Sequence, residues 1–234
     1  MELNLIQKIA IFALPVIFAI TLHEAAHGYV ARMFGDRTAE MMGRITLNPL
    51  RHIDLIGTII VPATILLLAK LAGAGSILFG WAKPVPVNFN NLRRPKRDML
   101  WVAAAGPGAN LVMALFWAAM IKLGIALHPG GFSTPLVLMG AAGVFINAVL
   151  MALNLIPLPP LDGGRIAVSL LPPRLAYALS RIEPYGLIIL IALMFMGLLG
   201  LIIWPLIQAL FTLVGMIFGI EPTDMLALIQ IVLS

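Results

Sequence analysis

His23 and His27 stand four residues apart at the end of an apolar run, with Glu24 directly after the first. On a helix, residues i and i+4 share a face, so both imidazoles can reach one metal ion. Glu24 can then reach the water that completes the ion's shell without being a ligand. Thr21 is the only interruption of the apolar run between Ile9 and Leu22, which puts the trio at the edge of a membrane span. Ionisable groups there are costly, so an intramembrane site is the default reading; the alternative is a histidine pair hydrogen-bonded within a helix bundle. A catalytic zinc takes three protein ligands and keeps one open position. Asp162 is the only acid between Asp98 and Glu183. It reads either as the third ligand or as the cap of a helix starting near Gly163. The chain has no cysteine, which excludes thiolate-bound zinc, a thiol nucleophile and disulfides. The expected cofactor is one Zn2+ per chain, held by His23, His27 and Asp162.

The elements that must position these residues are membrane spans. At 61% hydrophobic and 11% charged, with mean hydropathy +1.04, 234 residues do not make an ordinary soluble domain. The expectation is a single membrane-embedded domain over 1–234: all-α and polytopic, with five to six membrane segments including a re-entrant one, and a short β-hairpin or edge strand near the active site. Spans are expected over 5–33 with a kink at Pro15, over 99–127 and over 135–155. Residues 185–218, broken at Pro205, read as one kinked span or a helical hairpin, and 224–234 as a short apolar tail. A cleavable signal is not expected, because removing the first run would remove the histidine motif.

Charge sets the orientation. The net charge of +5 comes from bases gathered mainly in loops 32–51, 83–97 and 165–181, beside the membrane, so it does not signal nucleic acid. The positive-inside rule places these loops in the cytoplasm and the amino terminus outside. Because 32–51 and 83–97 are both basic, residues 55–80 read as a segment that enters and returns, with Pro62 and Gly73-Ala74-Gly75 suiting its irregular backbone. The junction after residue 155 then comes to the level of the histidines.

Arg44-Ile45-Thr46-Leu47-Asn48 alternates and stops at Pro49, which predicts a short strand able to pair with an extended substrate. Asn110 and Asn147 either line a polar route to the site or hydrogen-bond between helices. His52, two residues before Asp54, could assist oxyanion stabilisation or form a structural His–Asp pair. His128 reads as a solvated loop residue on the far side.

Two motifs on separate spans, His23-Glu24-Ala25-Ala26-His27 and Asn154 through Pro157 to Leu161-Asp162-Gly163, resemble the site-2 protease family of intramembrane zinc metalloproteases. The segments Gly43–Pro49, Gly80–Asn88 and Ala105-Gly106-Pro107-Gly108-Ala109-Asn110 look like its small bacterial members. There is no room for a PDZ domain between the motifs. The resemblance implies Glu24 as general base, Asn154 as a substrate-binding or site-shaping residue, and transmembrane proteins as substrates. It also implies a bacterial inner membrane location with the site near the cytoplasmic side. The competing classes are a membrane metal transporter and an inactive relative that binds helices without cutting them. The sequence leaves the substrate's identity and the oligomeric state open.

Overall fold

The computed structural model describes residues 3–61, 64, 80, 82–127 and 131–233. Helix α1, Leu5–Met33, starts at a capping box: Asn4 Oδ1 accepts from Gln7 N–H at 2.9 Å, and Gln7 Oε1 accepts from Asn4 N–H at 3.0 Å. It runs through Pro15 without interruption. Its 29 residues rise about 43 Å, more than a hydrocarbon core needs. A short helix α2, Thr38–Met41, turns the chain back against it. Helices α3, Pro95–Ala126, and α4, Ser133–Asn154, follow as an antiparallel hairpin and are the most extensively packed pair.

Small residues let that pair close up. A Cβ at Gly143 would collide with the Trp117 ring, and one at Gly140 would lie 2.6 Å from Ile121. Ala114, Ala118, Ala141 and Ala148 are fully buried along the same seam. Within a bilayer, where apolar burial gives helices no advantage over lipid, such close backbone approach is what holds spans together. α1 packs antiparallel to α3 through His27–Val102 and His23–Asn110 contacts.

After α4 come α5, Asp162–Leu170, α6, Pro173–Ser180, and α7, Gly186–Phe195. Then follow α8, Leu198–Phe218, and α9, Pro222–Leu233. Among the described residues, five stretches are long and apolar enough to cross a membrane: Ile6–Met33, Pro95–Ala126, Ser133–Asn154, Pro173–Phe195 and Leu198–Phe218. The chain is a multi-pass membrane protein. The break in the carboxy-terminal region falls at Gly197, in the left-handed conformation at φ 72°, and not at Pro205, which lies inside α8. A glycine adopts that conformation without steric penalty, so the turn forms there. The apolar tail is the helix α9.

The expected β-hairpin or edge strand is not formed: the described residues are helical or irregular, with no strand among them. Over Arg44–Asn48 the reason is local. Thr46 Oγ1 accepts from Asn48 N–H at 3.1 Å and Asn48 Oδ1 accepts from Leu50 N–H at 3.0 Å. Side chains thus take the donors a ladder would need, and Pro49 opens a 3-10 turn, Pro49–Arg51. Residues Leu55–Ile60 form a π-helical turn capped by Asp54. Most of the expected re-entrant segment beyond Val61, with Pro62 and Gly73-Ala74-Gly75, lies outside the described residues, as does His128.

Loops 32–51 and 83–97 lie against each other. Arg44 donates from Nη2 to the carbonyls of Lys83 (3.1 Å) and Pro84 (3.3 Å). Arg93 N–H donates to Phe34 O at 3.0 Å and Lys83 N–H to His52 O at 2.9 Å. Buried Asp36 gathers four more donors: the N–H and hydroxyl of Thr38, Asn88 N–H at 2.7 Å and the Asn91 amide at 3.1 Å.

Candidate metal centre

His23 lies ten residues from the end of α1, about 15 Å of helix in from Met33. His27 follows one turn later on the same face. Asp162 opens α5 and reaches them because the chain folds tightly after α4: a Cβ at Gly163 would run into the Leu155 and Ile156 carbonyls. Its carboxylate makes no helix-capping bond. Oδ2 lies 3.3 Å from His23 Nε2 and 3.3 Å from His27 Nε2, and the two Nε2 atoms are 3.1 Å apart.

The donor atoms of this triangle are arranged to receive a cation. His23 Nδ1 donates to Asn110 Oδ1 at 2.6 Å. That oxygen is identified as such because Asn110 Nδ2 donates to Ala19 O at 3.2 Å and to Asn147 Oδ1 at 2.9 Å. His27 Nδ1 donates to the Val102 carbonyl at 2.7 Å. In their neutral form both imidazoles therefore turn an unprotonated Nε2 inward, as a metal-ligating histidine does. Two lone pairs and a buried carboxylate oxygen that makes no hydrogen bond converge with no proton among them. Donor atoms about 2.0–2.1 Å from a tetrahedral zinc stand roughly 3.3–3.4 Å apart. The observed edges match one face of that tetrahedron, so the residues present fit zinc.

Gly106 completes the cradle. A Cβ there would strike His27 Nε2 and come within 2.6 Å of the His23 ring. Neither Gly106 nor the Val102 carbonyl was marked as functional from residue types. The glycine-proline-glycine run Gly106-Pro107-Gly108 inside a membrane helix is the signal that could have found them, since residues that weaken a helix need a local reason to stand within one.

The other expected site residues fall in three places. Asn110 and Asn147, both fully buried, form a ladder leading from His23 to the Gly143 carbonyl, which Asn147 Nδ2 reaches at 2.8 Å. Asn110 thus orients a histidine and bonds between helices at once. Asn154 donates to Leu150 O of its own helix at 3.0 Å and is not part of the metal triangle. Arg44 is buried and points at the 83–84 backbone. Ile45 packs toward Gly28, while Leu47 is exposed. His52 is buried, with Nε2 donating to Thr46 O at 2.9 Å. Asp54 does not pair with it and instead accepts from Ile56 and Gly57 N–H. Glu24 projects from the neighbouring face of α1, where its Oε2 accepts from Val85 N–H at 2.7 Å.

Apolar spans enclosing a two-histidine, one-carboxylate centre define a polytopic metalloprotein of the membrane. Comparison with known proteins makes this specific. The chain is 38% identical over 202 residues to a Bacillus subtilis protein named "Putative zinc metalloprotease YwhC", covering 84% of this chain and 85% of that one. It is 26% identical over 192 residues to a Mycolicibacterium smegmatis protein named "Putative zinc metalloprotease Rip2" (81% and 69% covered). With Rip2 of Mycobacterium tuberculosis it shares 30% over 179 residues (75% and 62% covered). No protein-family model and no solved structure matches it. The chain belongs to the site-2 protease family of zinc metalloproteases, and its cofactor is Zn2+.

Proposed function

We propose that this metalloprotease works inside the bilayer, hydrolysing peptide bonds within or near the transmembrane segments of other membrane proteins. The observation that carries the reading is the depth of the triangle, about two to three helical turns in from the end of α1 and enclosed by α3 and α5. A scissile bond reaching it must belong to a chain already in the membrane. Zinc, when bound, supplies Lewis acidity toward the scissile carbonyl and brings the pKa of water to about 7.

The chain's own residues do the rest. His23, His27 and Asp162 are the ligands, with Asn110 and Val102 fixing which imidazole nitrogen faces inward. Glu24, adjacent to a ligand in sequence but outside the triangle, takes the water's proton as general base and later delivers it to the leaving amine. A helical substrate hides its peptide bonds in the i→i−4 ladder. Substrates should therefore carry helix-weakening residues in their spans. The excess of bases in loops 32–51 and 83–97 supports an orientation with the site toward the cytoplasmic side of a bacterial inner membrane. A transport role would need ligands strung along a path, whereas those among the described residues form one cluster.

The test compares wild type with Glu24→Gln in proteoliposomes against a panel of single-span proteins. Cleavage by wild type alone supports the reading. Absence of cleavage by zinc-loaded wild type across the panel, or metal flux in its place, overturns it.

A further inference from the structure

Residues 83–88 cross the face of α1 next to the metal triangle as an extended strap, and their polar backbone atoms are fixed to the framework. Lys83 N–H is held by His52 O, and the Lys83 and Pro84 carbonyls by the buried Arg44. Asn88 N–H is held by Asp36. Between these anchors the sequence is Pro84-Val85-Pro86. Prolines have no N–H, so Val85 carries the only backbone donor of the three, and that donor sits 2.7 Å from Glu24 Oε2. The side chain of Val85 is buried over Gly28, where an added Cβ would lie 3.0 Å from Val85 Cγ1 and 3.0 Å from Ile45 Cγ1. Glu24 and Gly28 are i and i+4, so the strap lies along one stripe of α1 while His23 and His27 hold the adjacent one.

We infer that the Val85 N–H is the positioning group for Glu24, and that Arg44 is the positioning residue that aims it. The inference rests on the reading of Glu24 as the proton-transfer group. A glutamate has three side-chain torsions, and ordering it costs rotamer entropy that must be offset before each turnover. One charge-assisted bond from a pinned backbone fixes the carboxylate beside the metal without using a second titratable residue. It also leaves Oε1 for the proton it moves. This gives Arg44 a different role from the substrate-pairing one read from its sequence context: it acts through the strap, two carbonyls removed from Glu24.

Val85→Pro deletes the donor, and its ring Cδ takes the place of the amide hydrogen, so the Glu24 carboxylate must leave the strap. The expected result is a kcat lower by on the order of 10- to 100-fold, with KM and zinc content near wild type. Val85→Ala keeps the N–H and should lose about 3-fold at most. Arg44→Gln should lower kcat more than KM rises, and Arg44→Lys should recover part of the loss. Equal losses in Val85→Pro and Val85→Ala would reduce the strap to packing and overturn the inference, as would wild-type kcat in zinc-loaded Val85→Pro. A second measurement needs no catalysis: hydrogen exchange of the Val85 amide in zinc-loaded full-length protein in detergent, compared with Glu24→Ala. Exchange should speed by at least about 10-fold when the acceptor goes, and unchanged protection overturns the contact itself. If wild type cuts nothing while this amide responds to Glu24→Ala, the proteolytic reading fails and the contact stands.

Discussion

At the scale of single residues, the centre is defined by which groups lack a proton. His23 and His27 each spend Nδ1–H on a fixed acceptor, Asn110 or Val102, so in the neutral rings the Nε2 lone pairs turn inward, free for a metal ion. Asp162→Ala removes one of three ligands and should sharply lower zinc in purified protein, measured by elemental analysis; full occupancy would take Asp162 out of the site. Asn110→Leu leaves all ligands in place but frees the His23 ring. Zinc affinity should fall about 10- to 100-fold in competition with a chelator, the usual effect of losing such an orienting partner. Glu24→Gln should keep its zinc and lose about 10²- to 10⁴-fold in cleavage rate, read in the same preparation. The cluster of His23, His27 and Asp162 was legible in the sequence because helical period and the need for a third donor single those residues out. Gly106 was not, because its contribution is the absence of an atom, which no residue type advertises.

Among the elements, the two basic loops behave as one unit. Asp36 holds them together: burial opposes its charge, but the hydrogen bonds from Thr38, Asn88 and Asn91 outweigh that and keep its carboxyl below the usual carboxylate range. A folded pKa below the unfolded one means the stabilisation is complete above the unfolded value, about 4. It is lost as pH falls through the folded value. Asp36→Ala should therefore destabilise the protein at neutral pH by about 1.5–3 kcal/mol in all, and the difference from wild type should shrink in strong acid. Thermal unfolding in detergent across that range reads both. Here the sequence misled over Arg44–Asn48, where alternation suggested a strand. Thr46 and Asn48 bond their own backbone instead, and a five-residue pattern carries no information about that competition. The spans were far more legible: expected bounds of 5–33, 99–127 and 135–155 fall within a few residues of α1, α3 and α4, because twenty or so apolar residues in a row have no other stable use.

Across the whole molecule, the interlocked loops put residues near Met41 and Asn90 at the same end of the bundle. Both are exposed and the chain has no native cysteine, so single cysteines there report cleanly. Both should resist an impermeant thiol reagent outside intact cells and react after permeabilisation; labelling of one alone from outside would separate the loops and refute the packing. The Asn110–Asn147 ladder has a further consequence, for biosynthesis. Each asparagine sits in an apolar helix, and each finds its partner across the hairpin of α3 and α4. The polar burden is thus cancelled between neighbours that leave the ribosome consecutively, and the pair can enter the lipid as one unit. His23 and His27 are made early, Asn110 next and Asp162 last. The nascent chain consequently carries an incomplete metal cage until Asp162 emerges, with the last two membrane-crossing stretches still to be made.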